Sequence, residues 1–62
     1  MSNAANTMKT VKAAIKGANL SRSAILATAR NIRAKARAEF KAGKHERAEQ
    51  LHVEAECYRR AA

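Results

Sequence analysis

Apolar residues recur along this chain at intervals of three and four, the period of a helix that buries one face. No segment shows the strict alternation of a half-buried strand. Met8, Val11, Ala14, Ile15 and Ala18 fall on one face at that spacing, which predicts a first helix from about Thr7 to Lys16, capped by Asn6 or Thr7 and ended near Gly17. Residues 1–6 are expected to form a flexible tail, and 7–62 a single helical domain. A second helix is predicted over about 22–42, opened by Ser21 as N-cap, with Leu20 and Ile25 at the two positions of a hydrophobic staple. Ile25, Ala29, Ile32, Ala36 and Phe40 form its inner stripe, with Leu26 at the edge. Gly43 is placed to end it in the left-handed backbone region. A third helix over about 45–60 turns Ala48, Leu51, Ala55 and Tyr58 inward. The short connection between the last two helices folds them back on each other. The expected fold is therefore all-α: three helices, with helices 2 and 3 as an antiparallel hairpin and a short N-terminal helix.

Composition reinforces the helices and thins the core. Sixteen alanines, two glycines and no proline favour helix throughout, but they leave few large apolar groups. A chain of 62 residues buries only about 60% of the surface its unfolded form exposes. Val53 and Cys57 lie one turn apart outside the third helix's inner stripe, either as a contact for helix 1 or as a small self-association patch that would pair two copies as a homodimer. Cys57 is the only cysteine, which excludes an internal disulfide and a cysteine-based zinc site and fits a cytoplasmic protein. The first residues contain no apolar run, so neither a secretory signal nor strong membrane association is expected.

Charge divides the chain in two. Thirteen basic and five acidic residues give a net charge of +8. Residues 1–37 contain Lys9, Lys12, Lys16, Arg22, Arg30, Arg33, Lys35 and Arg37 and no acid, whereas the charges of 38–62 cancel. An anionic partner for the N-terminal half follows. On the second helix Arg30, Arg33, Arg37 and Lys41 form a stripe beside the apolar one, and Ala27, Ala34 and Ala38 form a smooth third face. Its first turn has Arg22 where an acid would complement the helix dipole. With the free N–H groups there and the hydroxyls of Ser21 and Ser23, this start has the makings of a phosphate seat.

The run Leu20-Ser21-Arg22-Ser23-Ala24-Ile25, after an Ala-rich helix and a turn, resembles the start of the second helix in helix-turn-helix and ribbon-helix-helix DNA-binding proteins. That resemblance implies that Ser21, Arg22 and Ser23 touch phosphates and, for the helix-turn-helix case, that the exposed face of helix 2 enters a major groove. A second stretch, Phe40 to Ala55, is similar to the middle of a tetratricopeptide repeat, with Gly43, Ala48 and Ala55 at the small-residue positions. It implies a closely packed helical hairpin and, beyond that, a protein-binding role.

Nothing in the chain suggests catalysis, a cofactor or a small-molecule substrate: there is no phosphate loop after a strand and too little chain to enclose a reactant. His45, Glu49, His52 and Glu56 share a face of helix 3 and read as a solvated row of Glu-His pairs rather than a metal site. Phe40 and Tyr58, the two aromatic residues, are both assigned to the core. The function expected is that of a small basic non-enzymatic nucleic-acid-binding or regulatory protein. It would grip duplex DNA phosphates with Ser21, Arg22, Ser23, Arg30, Arg33 and Arg37, assisted by Lys9, Lys12 and Lys16. The competing expectation is a protein-interaction module, a small inhibitor or adaptor that docks the same basic face on an acidic protein surface.

Overall fold

The computed structural model describes residues 4–62. They form α1 (Ala4–Ala18), α2 (Arg22–Lys41) and α3 (His45–Ala61), with no strand among the described residues. α2 and α3 pack along each other as a hairpin, and α1 packs on α3 more than on α2. α3 is therefore the shared helix.

α1 begins earlier than its apolar spacing predicts. Ala4, Ala5 and Asn6 belong to the helix, in keeping with the high helix propensity of alanine. Asn6 and Thr7 are thus helical residues and not caps, and the Asn6 carbonyl accepts a bond from Thr10 Oγ1 at 3.1 Å. Residues 1–3 of the expected tail lie outside the described residues. The far end also runs on: Gly17 and Ala18 stay helical, and Asn19 takes the left-handed conformation with φ 52°. Asparagine tolerates that region better than most residues with a side chain. The Leu20 N–H then donates to the Ile15 carbonyl at 3.1 Å, and that of Asn19 to Lys16 at 3.2 Å, which together make a Schellman closure.

The same closure ends α2, with Gly43 at φ 84°. Lys44 N–H donates to the Glu39 carbonyl at 2.9 Å and Gly43 N–H to Phe40 at 3.0 Å. In the first closure the flanking pair Ile15 and Leu20 packs on the core; in the second, Lys44 Nζ stands 3.9 Å from Glu39 Oε1. One motif thus closes over apolar side chains and the other with an exposed ion pair. α2 starts as the sequence predicts, with the Ala24 amide donating to Ser21 Oγ at 3.2 Å. Leu20 and Ile25 both join the core beneath that turn.

The core lies where all three helices meet. Val11, Ile25, Ala29, Cys57 and Tyr58 are buried together, and Met8, Ile15, Leu20, Ile32 and Ala61 pack around them. Val11 is 2% exposed, so α1 is docked. Farther along the hairpin the seam consists of Ala36, Ala48, Leu51 and Ala55, all buried, and its alanines let the two backbones approach closely. Cys57 is buried in the core that α1 contacts and Val53 stays exposed, and the two line one open depression on α3 with Glu49, His52, Glu56 and Arg60. Ala14 and Ala18 are also exposed, which narrows α1's inner face to Met8, Val11 and Ile15.

Phe40 is not a core residue. It is 57% exposed, whereas Tyr58 is 9% exposed. The cause is helical drift: each four-residue step overshoots a full turn by about 40°, so the steps from Ile32 to Ala36 to Phe40 rotate the stripe progressively off the α3 contact. The ring ends on the hairpin's flank, stacked on the His45 imidazole with centroids 4.4 Å apart and planes 21° from parallel. No helix of the described residues is long and apolar enough to cross a membrane.

Candidate functional site

α3 is bordered differently on its two sides. Along one, Arg47, Gln50 and Glu54 face Asn6, Thr7 and Thr10 of α1. On the other flank, which α1 leaves open, α2 carries its basic face. Successive arginines there advance by three and four residues, so Arg30, Arg33 and Arg37 form a nearly straight row, with Arg22 two turns earlier. From Arg22 to Arg37 the row extends about 22 Å along the helix axis.

Arg30 and Arg33 line a shallow depression of about 180 Å³ whose floor is Leu26 and Ala29 and whose far wall is Arg59 of α3. Arg33 is half-buried, while Arg22, Arg30 and Arg37 are exposed. Arg59 was not among the residues expected from the sequence, because the half of the chain that contains it is electrically neutral. Its signal is position: it directly follows buried Tyr58 and so stands at the rim of α3's inner stripe.

The cations of the two helices differ in their pairing. Arg59 and Arg60 both reach Glu56, Arg59 through Nη2 at 3.3 Å and Arg60 through Nε at 3.4 Å. Arg59 also donates from Nε to Glu56 Oε1 at 3.4 Å. The Arg59 hydrogen bonds, followed by its charge and by Arg60, hold the Glu56 carboxyl below the usual carboxylate range. By contrast, Arg22, Arg30, Arg33 and Arg37 have no ion-pair partner among the described residues. α2 contains one acid, Glu39, on another side of the helix, where Lys44 meets it.

At the start of α2, Ser21 Oγ is occupied as a cap acceptor and lies 3.3 Å from Ser23 Oγ. The Arg22 and Ser23 amides are the first-turn donors that the cap leaves open, and both residues are exposed. Ser21, Arg22 and Ser23 therefore stand together at one end of the arginine row. Lys9, Lys12 and Lys16 are exposed on α1, and none of them lines the depression that gathers Arg30, Arg33 and Arg59. The structure unites two sets of the expected residues on α2 and leaves the lysines on a separate helix.

The Glu-His row is exposed in His45, Glu49 and His52, and Glu56 is engaged by arginines instead of by His52. Among the described residues no three histidine, cysteine or carboxylate groups converge as metal ligands would. The cations of α2 thus form a line along one flank of the hairpin, with the shallow depression beside its middle. Comparison with known proteins finds no matching family model, no matching curated protein and no matching solved structure, so the functional reading rests on this chain's own geometry.

Proposed function

We propose that this is a small non-enzymatic protein that binds duplex nucleic acid through its sugar-phosphate backbone, using the basic face of α2. The observation that carries the reading is the row Arg22, Arg30, Arg33 and Arg37, which has no carboxylate partner among the described residues. Like charges held in a row repel one another and destabilise the free helix; phosphates spaced along a duplex relieve that repulsion and release counterions as they bind. The open amides of Arg22 and Ser23 add donors at one end of the row, and the likeness of Leu20 to Ile25 to a backbone-contacting helix start is in keeping with such a role. Lys9, Lys12 and Lys16 would act as a separate, longer-range attraction.

Binding of a labelled random-sequence duplex, followed by fluorescence anisotropy across a salt series, tests this. Affinity should fall steeply with salt, by about 0.9 in log-log slope for each phosphate contacted, and Arg30→Ala/Arg33→Ala should remove close to two such contacts. Absence of binding at low salt would refute the reading. A second reading, docking on an acidic protein surface, is favoured by the exposed ring of Phe40 beside the same flank. Under that reading, Phe40→Ser and Leu26→Ser would weaken partner binding as much as the arginine changes do, because apolar anchors dominate protein interfaces. Duplex binding should tolerate both.

A further inference from the structure

We infer that Arg59, the third arginine around the depression, joins the duplex-binding site and that Glu56 restrains it until a phosphate takes its place; this inference rests on the nucleic-acid reading above. Arg59 forms one wall of the depression that Arg30 and Arg33 line, with Leu26 and Ala29 beneath them. Its guanidinium is nevertheless turned to Glu56, which does not line the depression, through contacts of 3.3 and 3.4 Å.

Three guanidinium groups around so small a hollow would repel one another if all were uncompensated. The Glu56 carboxylate relieves this by holding Arg59 at the rim. The clamp is exposed, with side chains of Arg59 and Glu56 that are 59% and 40% accessible, so water and salt weaken it. A phosphodiester seated between Arg30 and Arg33 offers Arg59 a second counter-charge across the depression and competes with Glu56 for it. Glu56 is not orphaned by the exchange, because Arg60 stays on Oε2 at 3.4 Å. α3 thereby contributes to the site while the free protein presents a milder cationic patch than its composition implies.

The test is the same salt series on the full chain with Arg59→Ala, Glu56→Gln, the double variant, and Glu46→Gln as a matched loss of one negative charge from the start of α3. Circular dichroism establishes that each variant is folded. Arg59→Ala should lower the salt slope by about one phosphate contact. Glu56→Gln should tighten duplex binding by about two- to fivefold, the factor an exposed ion pair commands, and Glu46→Gln by less. In the Arg59→Ala background the Glu56→Gln gain should vanish. Equal gains from Glu56→Gln and Glu46→Gln, or a gain that persists without Arg59, would overturn the restraint. If Arg30→Ala/Arg33→Ala weakens binding but Arg59→Ala does not, only the role of Arg59 falls; if the unaltered protein binds no duplex, the nucleic-acid reading falls with it.

Discussion

α2 and α3 are the two arms of one hairpin, yet they dispose of the same kinds of side chain in opposite ways. α3 buries its aromatic residue, Tyr58, and pairs its last arginines with Glu56. α2 turns Phe40 out to its flank and holds Arg22, Arg30, Arg33 and Arg37 without carboxylate partners among the described residues. The charge difference follows from spacing: Glu56 stands three and four residues before Arg59 and Arg60, where helical side chains meet, and α2 has no acid so placed. The aromatic difference follows from packing, since Tyr58 lies where α1, α2 and α3 converge and Phe40 lies beyond that junction. α3 is the arm that holds the fold together, and α2 is the arm whose arginines stand unpaired among the described residues.

The largest expected effect separates the two aromatic residues. Tyr58→Ala removes a ring from the junction and should cost about 3 kcal/mol or more, comparable with the entire stability of a chain this small. Phe40→Ala should shift the thermal midpoint by only a few degrees, since an exposed ring loses little burial. Circular dichroism melts compare them, and equal losses would contradict the assignment of stability to α3. Next come the helix starts. Ser21→Ala deletes the cap bond of α2 and should cost about 1 kcal/mol in the same melts. Lys44, which caps α3 without a side-chain bond, should be replaceable by alanine with a smaller loss.

A third change would make α2 resemble α3. Ala34 is exposed, four residues after Arg30 and three before Arg37, so Ala34→Glu offers both a carboxylate. The helix should gain a few tenths of a kcal/mol at most, while duplex affinity should fall about tenfold and the salt slope should shrink. Unchanged affinity would mean that the row is not the contact surface. The smallest effect is acid titration. Because folding lowers the Glu56 carboxyl, its stabilising contribution is complete above the ordinary carboxylate range and is lost as pH falls through its lowered value. The melting temperature of Glu56→Gln should therefore converge on that of the unaltered chain below that range, and differ from it slightly at neutral pH.

What was legible in the sequence is what local rules govern. The helical period, the Ser21 cap, the Gly43 stop and the inner stripe Ala48, Leu51, Ala55 and Tyr58 each follow from neighbours within a few residues. Phe40 was misassigned because a stripe built from repeated four-residue steps drifts, and whether its last member is covered depends on what the opposite helix provides there. Asn19 took the left-handed position that Gly17 could equally have filled, a choice made by where α1 must stop to seat Ile15 and Leu20 on the core. Arg59 is hidden for a different reason: the net charge of 38–62 is zero, yet the antiparallel hairpin brings this cation beside Arg30 and Arg33 of the other half.

The most direct test is a heteronuclear NMR titration of isotope-labelled protein with a short random-sequence duplex. Amide shifts should concentrate at Ser21, Arg22, Ser23, Arg30, Arg33 and Arg37, with Arg59 responding alongside them and the stretch from His45 to Val53 nearly silent. Shifts centred instead on Phe40 and His45, or no shifts at low salt, would contradict the assignment of binding to the uncompensated face of α2.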